Sequence, residues 1–248
     1  MLADRDTEWF ANWFDSPYYH TLYKDRNTSE AELFIDQLIA YLHPEPGSRI
    51  LDLACGKGRH SVYLNKKGFS TIGIDLSKES IACALNSQNP SLQFYVHDMR
   101  KPFRTNYFDI VLNLFTSFGY FETSRDDNAV LQAVHKSLRP GGTFVLDFLN
   151  IKKTLATLKT TESKTVEGIL FKLDKTIENG FLVKKISFHD KGKDHVFFEK
   201  VKALTLPDLE KYFSVNKLKI VDLRGDYKLN KFNEDESDRL IIFAKKED

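Results

Sequence analysis

The chain has 248 residues, enough to bury roughly three quarters of the surface that its unfolded form exposes, so its core needs no disulfide or metal staple. Its 36 lysines and arginines stand against 35 aspartates and glutamates, which leaves no global field to draw it onto nucleic acid or an anionic membrane, and neither is an expected partner. Cys55 and Cys83 lie in apolar stretches, the opening MLADRDTEWF lacks the features of a signal peptide, and no apolar run approaches the ~20 residues of a membrane span, so a reduced, cytoplasmic protein is expected.

Residues 8–23 carry Trp9, Phe10, Trp13, Phe14, Tyr18, Tyr19 and Tyr23 around Pro17, an aromatic load that must cover something. Thr28 or Ser29 is placed to cap a helix reaching about Leu42, with Leu33, Ile35, Leu38, Ile39 and Leu42 as its buried face, and Pro44, Pro46 and Gly47 stop it. Residues 49–54 (RILDLA) read as a buried strand, 58–67 as a helix stopped by Gly68, and 69–75 (FSTIGID) as the next strand, after which Ser77 caps another helix. Residues 92–97 and 108–114 are further strands. Residues 124–138 have helical spacing at Val130, Leu131, Val134 and Leu138, and Pro140-Gly141-Gly142 turns the chain into a strand over 143–149. Parallel neighbours need crossovers, so five strands with helix-length connections predict an α/β fold with a doubly wound parallel sheet.

The pattern changes after Asn150. A polar, helix-like stretch to about Thr161 is followed by three alternating runs near 165–174, 180–188 and 195–204, with hairpin turns at Glu178-Asn179-Gly180 and Lys191-Gly192-Lys193, which predicts an antiparallel insertion. Thr205 and Pro207 start a helix to about Ser214, and two strands near 219–227 and 239–245 close the chain. The expected organisation is an aromatic arm with cap helices (1–48), an α/β core (49–150), the antiparallel β insertion (151–204) and a completion of the core (205–248).

Leu51-Asp52-Leu53-Ala54-Cys55-Gly56-Lys57-Gly58-Arg59-His60 is a strand entering a glycine loop and then a helix. Glycine suits a sharp turn against which a ligand lies, and the helix start offers unpaired N–H groups to a carboxylate. Asp75 ends the next strand, where this fold places an acceptor for ribose hydroxyls; Asp98 ends the third and Asn113 the fourth, so polar groups converge on one carboxyl-terminal edge. A dinucleotide fingerprint would require a third glycine or alanine where Ser61 stands, and no phosphate-binding Gly-Lys-Ser or Gly-Lys-Thr is present.

LDLACGKGR, GIDLS, HDMR, FDIVLNLFTSFGYF and LRPGGTFVLDFLN, over residues 49–150, resemble the successive motifs of class I S-adenosylmethionine-dependent methyltransferases. The resemblance implies a Rossmann-like seven-stranded sheet of order 3-2-1-4-5-7-6 with its last strand antiparallel, S-adenosylmethionine as cofactor with S-adenosylhomocysteine as product, and no metal. It also implies that Asp52, Ala54, Gly56 and Gly58 hold the methionine part, Asp75 the ribose with Leu76 beside the adenine, Asp98 the adenine amino group and the Met99 backbone a ring nitrogen. Asn113 and Leu114 would flank the methionine moiety and the sulfur. The stretch 114–120 (LFTSFGY), the Asp98-Met99-Arg100 triplet and the tyrosine-rich arm resemble sugar-amine N-methyltransferases, with Tyr120 where those enzymes tend to carry a histidine. The Asp/Asn-Pro-Pro-Tyr sequence of adenine and glutamine-amide methyltransferases is absent, with Asn113-Leu114-Phe115-Thr116 in its place.

The expected reaction moves a methyl group to an N or O atom of a small molecule. A neutral amine needs no base; a hydroxyl would need a proton acceptor such as His20, Tyr23 or Tyr120. Substrate-contact candidates are Tyr19, Ser117, Asp147, Phe148, Asn150 and Arg224, with Tyr227 weaker, while Arg59 and His60 either face substrate or form a solvated helix start. The arm reads as a lid or as plain packing, and the insertion as a substrate roof or a dimer surface, in a monomer or homodimer. Lys152, Lys153, Lys159 and Lys164 read as a solvated face. An RNA or protein methyltransferase with an open groove, or a non-catalytic S-adenosylmethionine-binding module, are the other readings.

Overall fold

A computed structural model describes residues 9–24 and 28–247; the opening eight residues, including the expected start of the arm at Glu8 and most of the stretch read for a signal peptide, lie outside them. The chain forms two compact units, one made of the arm with Leu155–Ala203 and the other of the segment between the arm and Leu155 together with the chain from Leu204 onward. The expected boundaries are therefore redrawn: the arm belongs with the insertion, whereas the helix after it belongs with the core.

In the larger unit, helix α3 (Thr28–Leu42) takes in both residues expected to cap it, Thr28 and Ser29, and leads to β1 (Arg49–Leu53). There follow α4 (Arg59–Lys66), β2 (Ser70–Asp75), α5 (Lys78–Ala84) capped by the Ser77 side chain, β3 (Leu92–Val96), β4 (Phe108–Asn113) and α6 (Ser124–Ser137). Strand β5 (Leu138–Leu149) and α7 (Ile151–Ala156) end this run. Phe108 pairs with Leu138 but Ile110 with Thr143, so the Pro140-Gly141-Gly142 turn is an irregularity within β5 rather than its beginning.

Helix α8 (Leu206–Val215) opens on a Thr205–Asp208 capping box and precedes β10 (Leu218–Arg224) and β11 (Arg239–Lys246). The sheet order is β10-β11-β5-β4-β1-β2-β3, with β11 antiparallel to both neighbours. This is the expected seven-stranded order. Tyr227 lies past the end of β10 and not on it. Near-continuous burial of β1, β2 and β4 reflects helices on both faces: Phe34, Ile35 and Leu38 of α3 join one core cluster with Ile50, Leu112 and Val145, while Phe144 stacks on Phe213 of α8.

The smaller unit is an antiparallel meander of β6 (Thr161–Val166), β7 (Ile169–Glu178), β8 (Phe181–Asp190) and β9 (Lys193–Lys202). Four strands replace the expected three, because Glu167-Gly168 turns the chain inside the first run. The arm, α1 (Trp9–Phe14) and α2 (Pro17–Leu22), lies on one face of this sheet. Trp13 sits 4.7 Å from Phe197 and Tyr18 4.6 Å from Phe188, with Phe171 and Ile186 fully buried beneath. The aromatic load therefore covers one face of the insertion. Trp13 Nε1 and the Tyr23 hydroxyl donate to Glu199 Oε1 at 2.8 and 2.7 Å, and Lys184 pairs with its other oxygen. Burial alone would raise the Glu199 carboxyl, but Lys184 holds it below the ordinary range.

Candidate functional site

Parallel pairing brings the ends of β1, β2, β3, β4 and β5 to one edge, and antiparallel pairing of Arg239 with Leu149 starts β11 there too. The glycine loop after β1 is left-handed at Ala54 (φ 63°), Gly56 (φ 56°) and Gly58 (φ 80°). A Cβ on Gly58 would lie 2.6 Å from the Phe94 ring, so close approach to β3 requires glycine there, whereas a Cβ on Gly56 would meet nothing within 4 Å. Open space thus lies beside Gly56. Asp75 braces this loop: one carboxylate oxygen accepts from Gly56 N and the other from Ser77 N, both at 2.8 Å.

Asp52 is 1% exposed and accepts from Ser61 Oγ at 2.6 Å. Burial pushes its carboxyl up to about 6, with the Ser61 hydrogen bond opposing and the Asp75 charge adding to the rise. The serine that breaks the dinucleotide fingerprint is thus the partner of the first acid. Burial likewise drives the Cys55 thiol well above its ordinary value, which suits a packing residue and not a nucleophile.

Asp98 is held by the Arg100 guanidinium, Nη2 to Oδ2 at 2.8 Å and Nε to Oδ1 at 3.0 Å, and by Arg100 N at 2.9 Å. Partial burial opposes ionisation, but Arg100 outweighs it and keeps this carboxyl below the ordinary range. Leu76 is exposed, Met99 lines a small gap with Leu51 and Leu53, and Leu114 is buried. Asn113 is fully buried; its Nδ2 donates to Leu53 O at 3.0 Å, and its Oδ1 has no hydrogen-bond partner among the described residues.

After β4 the chain takes left-handed geometry at two successive non-glycine residues, Phe115 (φ 56°) and Thr116 (φ 57°). Phe115 N donates to Asp147 Oδ2 at 2.8 Å, and Arg239 donates from Nε to Asp147 Oδ1 and from Nη2 to Thr116 Oγ1, each at 2.7 Å. The Phe115 ring stacks on His60 at 5.0 Å and stands 5.1 Å from Tyr227, whose hydroxyl donates to Asp147 Oδ2 at 3.3 Å. Burial first, then the Asp147 charge, keeps that hydroxyl far above its ordinary pKa.

Several residues expected at the substrate are occupied by the fold. Asp147 and Phe148 are fully buried, the former bound as described, and Asn150 spends its amide on the Glu234 and Ser237 carbonyls at 2.8 Å. Ser117 donates to Leu114 O, Tyr120 to Thr116 O, and Arg224 bonds Asp222 and Leu229 O. Tyr19, His20 and Tyr23 belong to the smaller unit, where Tyr23 holds Glu199 and Tyr19 packs between Trp13 and Tyr23. Sequence reasoning missed Arg239, Thr116 and Ser61; a lone acid in the apolar run FVLDFL was a signal that a buried cation must exist elsewhere.

Residues 51–146 match the family model of a methyltransferase domain. Over those residues the chain carries a methyltransferase domain. The dTDP-3-amino-3,4,6-trideoxy-alpha-D-glucopyranose N,N-dimethyltransferase of Streptomyces venezuelae is 31% identical over 113 residues, 46% of this chain and 47% of that protein. A glycine/sarcosine/dimethylglycine N-methyltransferase of Actinopolyspora halophila is 28% identical over 233 residues, 90% of this chain and 40% of that protein. The chain spans about half the length of the curated relatives it matches. The fold is that of an S-adenosylmethionine-dependent methyltransferase from Clostridium acetobutylicum ATCC 824, with a TM-score of 0.77 at 23% identity over 93% of this chain and 96% of that one.

S-adenosylmethionine is the cofactor that the motifs of residues 49–150 imply by resemblance. The edge suits it: space opens beside Gly56, Asp75 is fixed by two backbone donors, and Asn113 keeps a buried acceptor without a partner. Among the described residues no group of histidines, cysteines and acids could hold a metal, and no helix is long and apolar enough to cross a membrane.

Proposed function

We propose that this methyltransferase domain acts on an amine nitrogen of a small molecule. The observation that carries this reading is the engagement of the proton-bearing groups around the loop after β4. Tyr120 donates to the Thr116 carbonyl, the Asp147 carboxylate is bound by Arg239 and Phe115 N, and Tyr227 is held protonated by burial and the Asp147 charge. Engagement of these three groups suits a nucleophile that arrives neutral with its lone pair ready, and disfavours a hydroxyl that must first lose a proton to one of them. The relatives that act on an amino sugar and on glycine are consistent with it.

When bound, S-adenosylmethionine supplies a methyl carbon on a sulfonium centre for in-line displacement. Asp52, Ala54, Gly56 and Gly58 would hold its methionine part, with Asn113 and Leu114 beside it. Asp75 would take the ribose, and Leu76, Asp98 and the Met99 backbone the adenine. The loop after β4, carrying Ser117 and Tyr120, would orient the acceptor and exclude water. Two free cysteines, one of them exposed, support a reducing, cytoplasmic setting.

The test measures S-adenosylhomocysteine formation with glycine, an amino sugar nucleotide, the matching alcohols and bulk RNA between pH 6 and 9. Turnover of an amine that climbs with pH as its ammonium loses a proton supports the reading. Turnover confined to alcohols or RNA overturns it, and cofactor binding without turnover of any acceptor points to a non-catalytic module.

A further inference from the structure

Left-handed geometry is costly for a side chain with a Cβ, and a β-branched threonine there is an outlier that persists only when its surroundings over-determine it. At Phe115 and Thr116 two such residues are consecutive. What over-determines them comes from far along the chain. Asp147 of β5 accepts from Phe115 N with its carboxylate and from Thr116 N, at 3.1 Å, with its carbonyl. Arg239, the first residue of β11, spans Asp147 Oδ1 and Thr116 Oγ1 with one planar guanidinium. Asp147 is fully buried and the Arg239 side chain is 18% exposed, so this ion pair works in a medium that screens it little.

The pair has a reach beyond its own contacts. The Phe115 ring lies flat on His60, at an interplanar angle of 19°, and the Arg59 guanidinium is 5.1 Å from its centroid. Arg59 and His60 open α4, the helix directly after the glycine loop. The ring therefore joins the loop after β4 to the start of that helix, and its position depends on a backbone that Arg239 and Asp147 hold.

We infer that Arg239, clamped on Asp147, is a positioning residue that keeps Phe115 and Thr116 left-handed and so presets the glycine-loop edge for S-adenosylmethionine. This rests on the proposed cofactor site. It requires that loss of the fork lower the population of the binding-competent loop, which weakens apparent affinity by the same factor.

Arg239→Lys keeps the charge beside Asp147 but replaces the planar fork, whose Nε and Nη2 are held in fixed geometry on Asp147 and Thr116, with a single ammonium on a flexible stem. The experiment compares wild type, Arg239→Lys and Arg239→Lys with Thr116→Gly, first by amide hydrogen exchange over residues 115–120 without cofactor, then by calorimetric titration with S-adenosylmethionine. In Arg239→Lys, exchange is expected to accelerate and affinity to drop by about tenfold. Glycine at 116 adopts the left-handed geometry without cost and is expected to recover most of that affinity, which a merely structural defect would not allow. Unchanged exchange, unchanged affinity, or a loss that glycine does not repair overturns the inference. Wild type that fails to bind S-adenosylmethionine while Arg239→Lys still loosens the loop removes the cofactor reading and, with it, this use of the clamp.

Discussion

Replacing Asp52 with asparagine should make the protein more stable at neutral pH and less able to bind its cofactor. The carboxyl is 1% exposed and its pKa is raised from 3.8 to about 6, chiefly by burial. Between these values the folded state keeps a proton that the unfolded chain has released, so stability falls as pH rises through the window and the full cost is present above it. Two units correspond to about 3 kcal/mol. Asp52→Asn removes this slope while its amide oxygen can still accept from Ser61, so denaturant midpoints should coincide near pH 4 and favour the variant at pH 7. Cofactor affinity should run the other way. If an ionised Asp52 meets the methionine ammonium, wild-type affinity at pH 5 should be about tenfold below its plateau, since about nine tenths of the carboxyls are then protonated, whereas the variant should be weaker and flat with pH. Urea titrations and calorimetry from pH 4 to 8 make both measurements. An unchanged stability slope in Asp52→Asn, or a wild-type affinity indifferent to pH between 5 and 7, would refute the assignment of this group.

Asp75→Ala removes the acceptor for Gly56 N and Ser77 N and should cost S-adenosylmethionine binding at least tenfold by calorimetry, with secondary structure retained by circular dichroism. Gly58→Ala places a Cβ 2.6 Å from Phe94 at φ 80° and should lower unfolding free energy by about 1–3 kcal/mol in urea. Trp13→Ala empties the arm face of the smaller unit and leaves Glu199 one donor short; a loss of about 3–5 kcal/mol should appear as early proteolytic cleavage within Leu155–Ala203. Cleavage that starts in the larger unit would argue against that packing.

The core was legible because its signals are local. RILDLA followed by Cys-Gly-Lys-Gly states a buried strand, a turn and a helix start within a dozen residues, and the acids at 75 and 98 end apolar runs. Thr161–Val166 was missed as a strand because it has an edge position and faces solvent over most of its length, which erases the alternation that marks a half-buried strand. Arg239 was illegible for another reason. Its partner lies 92 residues earlier, and only the antiparallel register of β11 on β5 brings the two together. The aromatic arm announced that it covered a surface, yet which surface depended on contacts such as Trp13 to Glu199 that no window of sequence contains.

That contact spans 186 residues. During synthesis the arm precedes β9 and has no partner until that strand follows it, an interval of roughly ten to forty seconds at ribosomal speed. Between the two, β1 to β5 of the larger unit appear, and their sheet too stays incomplete, because β11, which inserts between β5 and β10, is made only after β9. Seven aromatic side chains therefore spend that interval without their sheet, and β5 with a bare edge. The nascent chain is a natural client for holdase chaperones, and ribosome profiling or nascent-chain cross-linking should find them engaged until β11 is made.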